Sequence, residues 1–283
     1  MPYLLIPNLK VQAANIHSAG FLVGGAPIVA ASLFSHALAR ELGTQDRGVV
    51  VVHHDRHDLG EYAYGRFYPQ QRRGAAFIGK NDYSSKNKHA LSLQPTATAH
   101  LHLSLMIEFD VLNQLEQVKA WLKHARFAGG QITQSGEPLL CNDEWDAIDR
   151  APRGFVVLDR RQWLHQYQQH NGSNRLQALI DLLAHTDPAR PWLSAAVVGY
   201  AALEPTTLRG GARENWPHAY AEPLVGLVQY VPLAYFLKTA SEDQQQRYQS
   251  GEVDVVWRRD WQSSSPNLAQ PDVFLMLQHH QEV

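Results

Sequence analysis

The order of hydrophobic patterns in the first half of the chain constrains its fold most strongly. Alternating apolar residues predict a strand over Tyr3–Ala13, and apolar residues at helical spacing predict a helix over Val29–Leu42 that Gly43 ends. An apolar run over Arg47–Val52 and the alternating run AHLHLSLMIEF predict two further strands. A second amphipathic helix is predicted over Asn113–Arg126, where a glycine pair follows it. The order strand, helix, strand, strand, helix, strand is the ferredoxin-like pattern.

The second half of the chain is predicted to be less regular. GFVVL and EVDVVWRRDW indicate strands, and helices are predicted over Arg160–His170 and Arg175–His185. In the apolar segment LVGLVQYVPLAYFL, Pro232 limits the length of any helix. We therefore predict one α+β body over residues 1–283, with an RRM-like (ferredoxin-like) half at 1–150 and a mixed helical and β half at 151–283. Many unrelated proteins share this fold pattern, so it does not identify a function.

Composition narrows the class of protein. A chain of 283 residues with 45% hydrophobic residues can bury a core, and no apolar run approaches the roughly 18 residues that cross a bilayer. The start of the chain has no signal-peptide pattern, and the single Cys141 cannot form an internal disulfide. We expect a cytoplasmic protein that does not bind a membrane.

Positive charge is concentrated in one stretch, although the net charge is −2. Between positions 66 and 88 there are six basic residues and one acid, interleaved with aromatic and amide side chains. Cations pair with phosphates, rings stack on bases, and amides read base edges, so this mixture is typical of a surface that binds single-stranded RNA. An ordinary solvated loop is the alternative. The candidate residues in this stretch are Arg66, Arg72, Arg73, Lys80, Asn81, Tyr83, Lys86 and Lys88.

Two other motifs suggest chemistry more weakly. On a strand His53, Asp55 and His57 would face one side, but no second cluster with metal-ligand spacing accompanies them. Gly24 and Gly25 precede a helix, where a phosphate can bind, yet neither a Walker loop nor a dinucleotide fingerprint is present. We expect no metal, no cofactor and no catalytic residue.

Several segments, taken in order, resemble the CRISPR-associated RAMP superfamily and specifically its Csy subunit-two family. The opening LLIPNLKVQAANIHS, followed by GGAP and FSHALARE, resembles the first strand, turn and helix of that family. RFAGGQI resembles its arginine-to-glycine turn, RGFVVLDRRQWLHQY its central strand and helix, and VVGYAALEPTTLRGGARENW a later glycine- and arginine-containing loop. The four stretches span nearly the whole chain in the right order.

The resemblance implies a non-catalytic subunit with an RRM-like core that caps the 5′ handle of the guide RNA in a type I, subtype F, surveillance complex. It also implies contacts to a backbone subunit and usually to a large subunit, and to target DNA through the assembled complex. The residues it adds as RNA contacts are Asn15, Arg126, Arg209 and Arg213, beside the loop from Arg72 to Lys88.

The chain departs from the family pattern at two places. HTDPARP is shorter than the usual polar linker, and VQYVPL replaces a Gly-Glu-Trp sequence. Both departures bear on the interface with a large subunit and are compatible with a variant complex in which this subunit, or another, reads the DNA that flanks the target. Two other functions remain open: a metal-independent ribonuclease with His53 or His54 as general base, and a small-molecule enzyme that uses the glycine turn.

Overall fold

The structure is a computed structural model that describes residues 1–70, 72–77, 91–94, 96–185, 187–208, 217–237, 254–262 and 272–278. For residues 72–77, 91–94 and 262, it describes the backbone only. Of the candidate residues, Lys80, Asn81, Tyr83, Lys86, Lys88, Arg209 and Arg213 lie outside the described residues.

The described part of the chain is rich in strands. In chain order these are β1 Tyr3–Asn15, β2 His17–Ala19, β3 Leu22–Val23, β4 Asp46–Ala63, β5 Arg66–Pro69, β6 Arg72–Phe77, β7 Leu91–Gln94, β8 Thr98–Phe109, β9 Arg126–Phe127, β10 Gly130–Gln134, β11 Leu139–Cys141, β12 Phe155–Asp159, β13 Leu193–Ala202, β14 Ala221–Pro232, β15 Arg258–Gln262 and β16 Val273–Leu277.

Five α-helices join them in the described residues. They are α1 Ile28–Leu42, α2 Leu115–Leu122, α3 Glu144–Arg150, α4 Arg161–Asn171 and α5 Arg175–Ala184, and a short 3₁₀ turn follows at Leu233–Phe236. None of these helices has both the length and the apolar character that a bilayer crossing requires.

The strands form one twelve-stranded sheet and two small hairpins. The main sheet has the order β15-β16-β13-β14-β12-β4-β8-β1-β10-β9, with β11 beside β1 and β5 beside β4. The pairings described between these strands are antiparallel, so the fold is a mixture of helices with a large antiparallel sheet. The second half, predicted to be less regular, contributes five of the strands through β12 to β16.

Helices α1 and α2 pack on one face of the central strands. Phe34 of α1 contacts the rings of Trp121 and Phe127, whose centroids lie 4.8 and 5.5 Å away. Buried aliphatic residues of β1, β4 and β8 complete this core. A smaller apolar cluster, which includes Ile148 of α3 and Val255, covers part of the opposite face. The remainder of that opposite face carries polar side chains.

The sequence predicted four of the five described helices and the central strands β1, β4, β8 and β12, and three predictions need correction. The second helix ends at Leu122, and Arg126 lies instead in the β9–β10 hairpin. The strand after α1 continues through the histidine-rich segment to Ala63. The apolar run before Pro232 is a strand, because it pairs on both sides with β12 and β13. A short apolar run does not by itself distinguish a buried strand from a helix.

Candidate functional site

At one end of the sheet β1 ends and β8 begins, whereas β4 continues past them into a hairpin with β5. Asn15 of β1 and Leu59 of β4 both pair with Thr98 at the start of β8. We call this end of β1, β4 and β8, marked by these three residues, the open end. Because β5, β6 and β7 lie between β4 and β8 in the chain, the basic stretch from Arg66 to Lys88 is attached to the open end.

Asn15 and Arg126, far apart in sequence, meet at the open end. The backbone N–H of Asn15 donates to the carbonyl of Ala128 at 2.8 Å. Ala128 and Gly129 have φ values of 47° and 74° and form the two-residue turn that joins β9 to β10. Two positive φ values match the twist of an antiparallel hairpin. Arg126 is exposed beside this turn, so an exposed cation lies on the hairpin that the Asn15 backbone contacts.

The hairpin of β4 and β5 projects aromatic rings from the same end. Tyr64 and Gly65 form its turn, with φ values of 51° and 72°. Tyr64 is 97% exposed and Tyr62 is 81% exposed, while Arg66 beside them is also exposed. The Tyr62 ring contacts Phe67, with centroids 5.1 Å apart. The sequence analysis named Arg66 but missed both tyrosines, although alternating aromatic residues around a glycine in YAYGRFY are a hairpin signal.

The glycine turn before α1 closes a cleft at the open end. Gly24 and Gly25 have φ values of 98° and 81°, which non-glycine residues rarely adopt. A Cβ on Gly25 would lie 2.5 Å from the carbonyl oxygen of Ala195, so close packing also requires glycine here. The adjacent cleft of about 320 Å³ extends between this turn, Asn15 and Tyr200. The glycines are thus explained by backbone conformation and packing without a bound nucleotide.

Four further arginines among the described residues fall into two groups. Arg72 and Arg73 lie on β6, opposite Gln94 and Leu93 of β7, and only their backbone is described. Arg258 and Arg259 lie between Trp257 and Trp261 in the sequence and form ion pairs inside the protein. Arg259 binds Asp46 through two contacts of 2.7 and 2.8 Å. Those two arginines therefore have a structural role.

The histidine-rich segment of β4 does not converge as its alternation predicted. A register shift between His53 and Asp55 interrupts the alternation. His53 lies against Tyr230, with ring centroids 5.6 Å apart, and shares a cavity with Asp55, whereas His57 lines a second cavity that Asp55 also borders. Burial lowers the pKa of His53 to about 4, and the nearby charge of Arg56 contributes to this shift. Among the described residues, no group of three or more His, Cys, Asp or Glu is arranged to hold a metal ion.

His54 belongs to a hydrogen-bonded network. Its Nδ1 lies 2.9 Å from the carbonyl oxygen of Arg153, and its Nε2 lies 2.7 Å from Ser104 Oγ. Ser104 Oγ also accepts a hydrogen bond from the backbone N–H of Asn8 at 2.9 Å. Burial lowers the pKa of His54, which favours the neutral ring that this pattern requires. Both ring nitrogens therefore serve the fold.

Comparison with known proteins gives one family. The family model for the CRISPR-associated protein Csy2 matches residues 4–266, which is most of the chain. No curated protein matches the chain significantly. The match covers both halves of the large sheet and the open end. The chain therefore belongs to the CRISPR-associated Csy2 family.

Proposed function

We propose that this chain is a non-catalytic subunit of a type I-F-like Cascade that holds the 5′ handle of the guide RNA. Membership of the Csy2 family implies a CRISPR Cascade subunit. The observation that carries the finer assignment is the composition of the open end. Asn15, Arg126 and Arg66 come from three separate segments and lie there with exposed tyrosines and the attachment of the basic stretch.

These groups suit a single RNA strand. Arginines pair with phosphates, and tyrosine rings stack on bases at about 1–3 kcal/mol for each base. Duplex RNA keeps its bases stacked inside, so it gains little from exposed rings such as Tyr62 and Tyr64. The mixture of cations and rings at the open end therefore favours an unpaired segment such as a handle.

The order of the central strands supports an RRM-like core. Strands β4, β8, β1 and β10 are neighbours in this order, and α1 and α2 both pack on one face of them. A βαββαβ chain produces this arrangement when its first and third strands lie in the middle. The division of the chain near residue 150 stays a prediction.

A role without catalysis is supported by the state of the two histidines that a ribonuclease would use. A ring with a pKa of about 4, as in His53, is a weak base at neutral pH. Both nitrogens of His54 contact groups of the protein itself. Because His53 is a weak base and His54 is engaged within the protein, we favour binding over cleavage.

The proposal includes partners. In the cytoplasm the chain binds guide RNA and a backbone subunit, possesses a surface for a large subunit in complexes that contain one, and meets target DNA only through the assembled complex. The open end faces the RNA, which leaves the opposite end of the sheet and helices α4 and α5 for protein contacts.

Handle binding is tested by fluorescence anisotropy with the full chain and a labelled RNA that begins with the repeat-derived handle. Arg66→Ala with Arg126→Ala is expected to weaken binding about 10-fold and to reduce the salt slope by roughly 0.7 for each phosphate that is no longer paired with an arginine. Arg72→Ala with Arg73→Ala is expected to act in the same way. The control is Arg47→Ala at the other end of the sheet. Equal affinity and salt slope for all variants would reject the site.

Cleavage is tested separately with repeat RNA. We expect intact RNA after incubation with the wild-type chain and with the His53→Ala, His54→Ala variant. Specific cleavage that this variant abolishes would establish the ribonuclease and overturn the non-catalytic proposal.

A further inference from the structure

A second polar surface lies on the face of the sheet opposite α1. Five side chains of β1, β4 and β8 line a cavity of about 450 Å³ there: Lys10, Asp55, His57, His100 and His102. Lys10 and His57 are polar groups at its edge, and Gln12 and Thr133 supply an amide and a hydroxyl at the same cavity. No function assigned above uses this surface, which we call the histidine face.

Two imidazole rings on this face lie nearly parallel. His57 and His100 are opposite each other on paired strands, with ring centroids 6.1 Å apart and planes within 11°. The backbone N–H of Ala13 donates to His100 Nδ1 at 3.3 Å, which orients that ring. His102 Nε2 lies 3.0 Å from Asn8 Oδ1 and is held similarly. Rings fixed in this way offer flat surfaces for stacking with little loss of side-chain entropy.

The histidine face is continuous with the hairpin of the open end. Side chains alternate along β4, so His57, Leu59 and Glu61 lie on one face. Tyr68 is opposite Glu61, and Arg66 is opposite Ala63, so both belong to the same face. A strand of RNA bound at Arg66 is therefore led along β4 and β5 towards His57.

The formal charges on this face balance. Among the side chains that line the cavity, Lys10 is the cation and Asp55 is the acid, so their formal charges sum to zero. Burial lowers the pKa of His102, and Lys10 lowers it further, which keeps this ring neutral. A surface without net charge but with rings, an amide and a hydroxyl recognises bases better than phosphates.

We propose that the histidine face is a binding site for unpaired nucleobases of single-stranded RNA, with His57 and His100 as the stacking surface. This inference rests on the proposed function and extends it, because it assigns base contacts to one surface and phosphate contacts to another. The two surfaces then differ in a measurable way: removal of a cation that pairs with a phosphate reduces the salt dependence of binding, whereas removal of a stacking ring does not.

The test measures affinity for the labelled handle RNA over a range of salt concentrations, again with the full chain. His57→Ala with His100→Ala is expected to weaken binding about 10-fold with an unchanged salt slope. His57→Phe with His100→Phe keeps flat rings and is expected to bind within about threefold of the wild type. The matched control, His124→Ala with His170→Ala, removes two exposed histidines that lie away from this face. The single variant His57→Ala keeps the hydrogen bond between Ala13 and His100. It therefore tests the loss of stacking even if the double variant fails to fold.

The outcomes separate the two proposals. If the wild type binds the RNA and all alanine variants of the histidine face bind it equally well, this inference is overturned while the proposed function stands. Unchanged RNA affinity together with failure to bind the backbone subunit would overturn it too, since the face would then be a protein interface. Failure of the wild type to bind the RNA at all would instead refute the proposed function.

Discussion

The two ends of strands β1, β4 and β8 are built in contrasting ways. At one end, which we call the closed end, Tyr3 pairs with Glu108, and Asp46 pairs with Phe109. There the Asp46 carboxylate is buried, and Arg259 binds both of its oxygens. At the open end, exposed tyrosines, a cleft and glycine turns lie beside the Arg56–Asp58 ion pair, which is only partly buried. The same three strands thus carry stabilising contacts at one end and exposed binding groups at the other.

This difference shows how a long strand supports a binding surface. Exposed rings and positive φ angles cost stability, and a rigid scaffold is needed to hold them in place. The closed end provides it, because β4 is fixed there by α1, β8 and β15. We therefore expect mutations at the closed end to affect unfolding and mutations at the open end to affect RNA binding. The predictions below test this separation, beginning with the largest effect.

The largest effect is expected from Arg259→Ala. Burial by itself raises the pKa of Asp46, but hydrogen bonds from Arg259 and Ser35 outweigh it and hold that pKa below its ordinary value. Removal of the arginine leaves a buried carboxylate without its counter-ion, at a cost of about 3–5 kcal/mol in the free energy of unfolding. Chemical denaturation measures this effect. Arg47→Ala, which breaks the more exposed pair with Asp110, should cost much less, because solvent screens that pair; equal costs would contradict the role of burial.

A pH-dependent loss of stability is expected from His53, which lies between the two ends. Its pKa is about 4 in the folded protein and near 6.5 when unfolded, so the unfolded chain binds more protons between these values. The stabilisation is complete above the higher value and is lost as the pH falls towards the lower one, by about 2–3 kcal/mol. His53→Phe should flatten the pH profile of unfolding. Identical profiles would show that another group, such as His54 or His102, causes the acid sensitivity.

Glycine substitutions provide a smaller and more local test. Gly25 and Gly43 both have positive φ values, but a Cβ meets backbone only at Gly25. Gly43→Ala should therefore cost about 1 kcal/mol for the left-handed conformation alone. Gly25→Ala should cost more, about 2–3 kcal/mol, and should also weaken RNA binding beside the cleft. Thermal unfolding and RNA titration distinguish the two variants. Equal losses of stability and RNA affinity would mean that the turn at Gly25 accommodates a Cβ without strain.

The smallest effect on folding, with a clear effect on binding, is expected from the hairpin tyrosines. Tyr62→Ala with Tyr64→Ala should weaken handle RNA binding about 10-fold, while the free energy of unfolding changes by less than about 0.5 kcal/mol. Phenylalanine at both positions should preserve affinity. The control is Tyr235→Ala, an exposed tyrosine in the short 3₁₀ turn. RNA affinity that depends on Tyr235 as much as on the hairpin would contradict the proposed location.

The sequence was informative where one local pattern determines one element. The periodicity of Val29–Leu42 with Gly43 predicted α1 almost to the residue, because spacing and cap agree. The sequence was less informative where pairing with distant strands determines the secondary structure of a segment. The apolar segment before Pro232 became a strand because β12 and β13 lie on either side of it. The polar segment after Val52 remained a strand because β8 continues beside it.

The candidate site was partly predictable for the same reason. Arg66 was visible from local composition, and Asn15 with Arg126 followed from the family resemblance. Their proximity depends on the bond between Asn15 and Ala128, which joins segments far apart in sequence. The histidine face could not be predicted, because a register shift after His53 decides which side chains share a face. Single-residue irregularities of this kind leave no clear pattern in a sequence.

Hydrogen exchange with and without the handle RNA tests the central claim most directly, because it compares both ends of the sheet in one experiment. Our account predicts that RNA slows exchange in the peptides that contain Asn15, Tyr64 and Arg126, while peptides at Asp46 and Phe109 stay unchanged. Protection confined to the closed end or to α4 and α5, with no change at the open end, would contradict it.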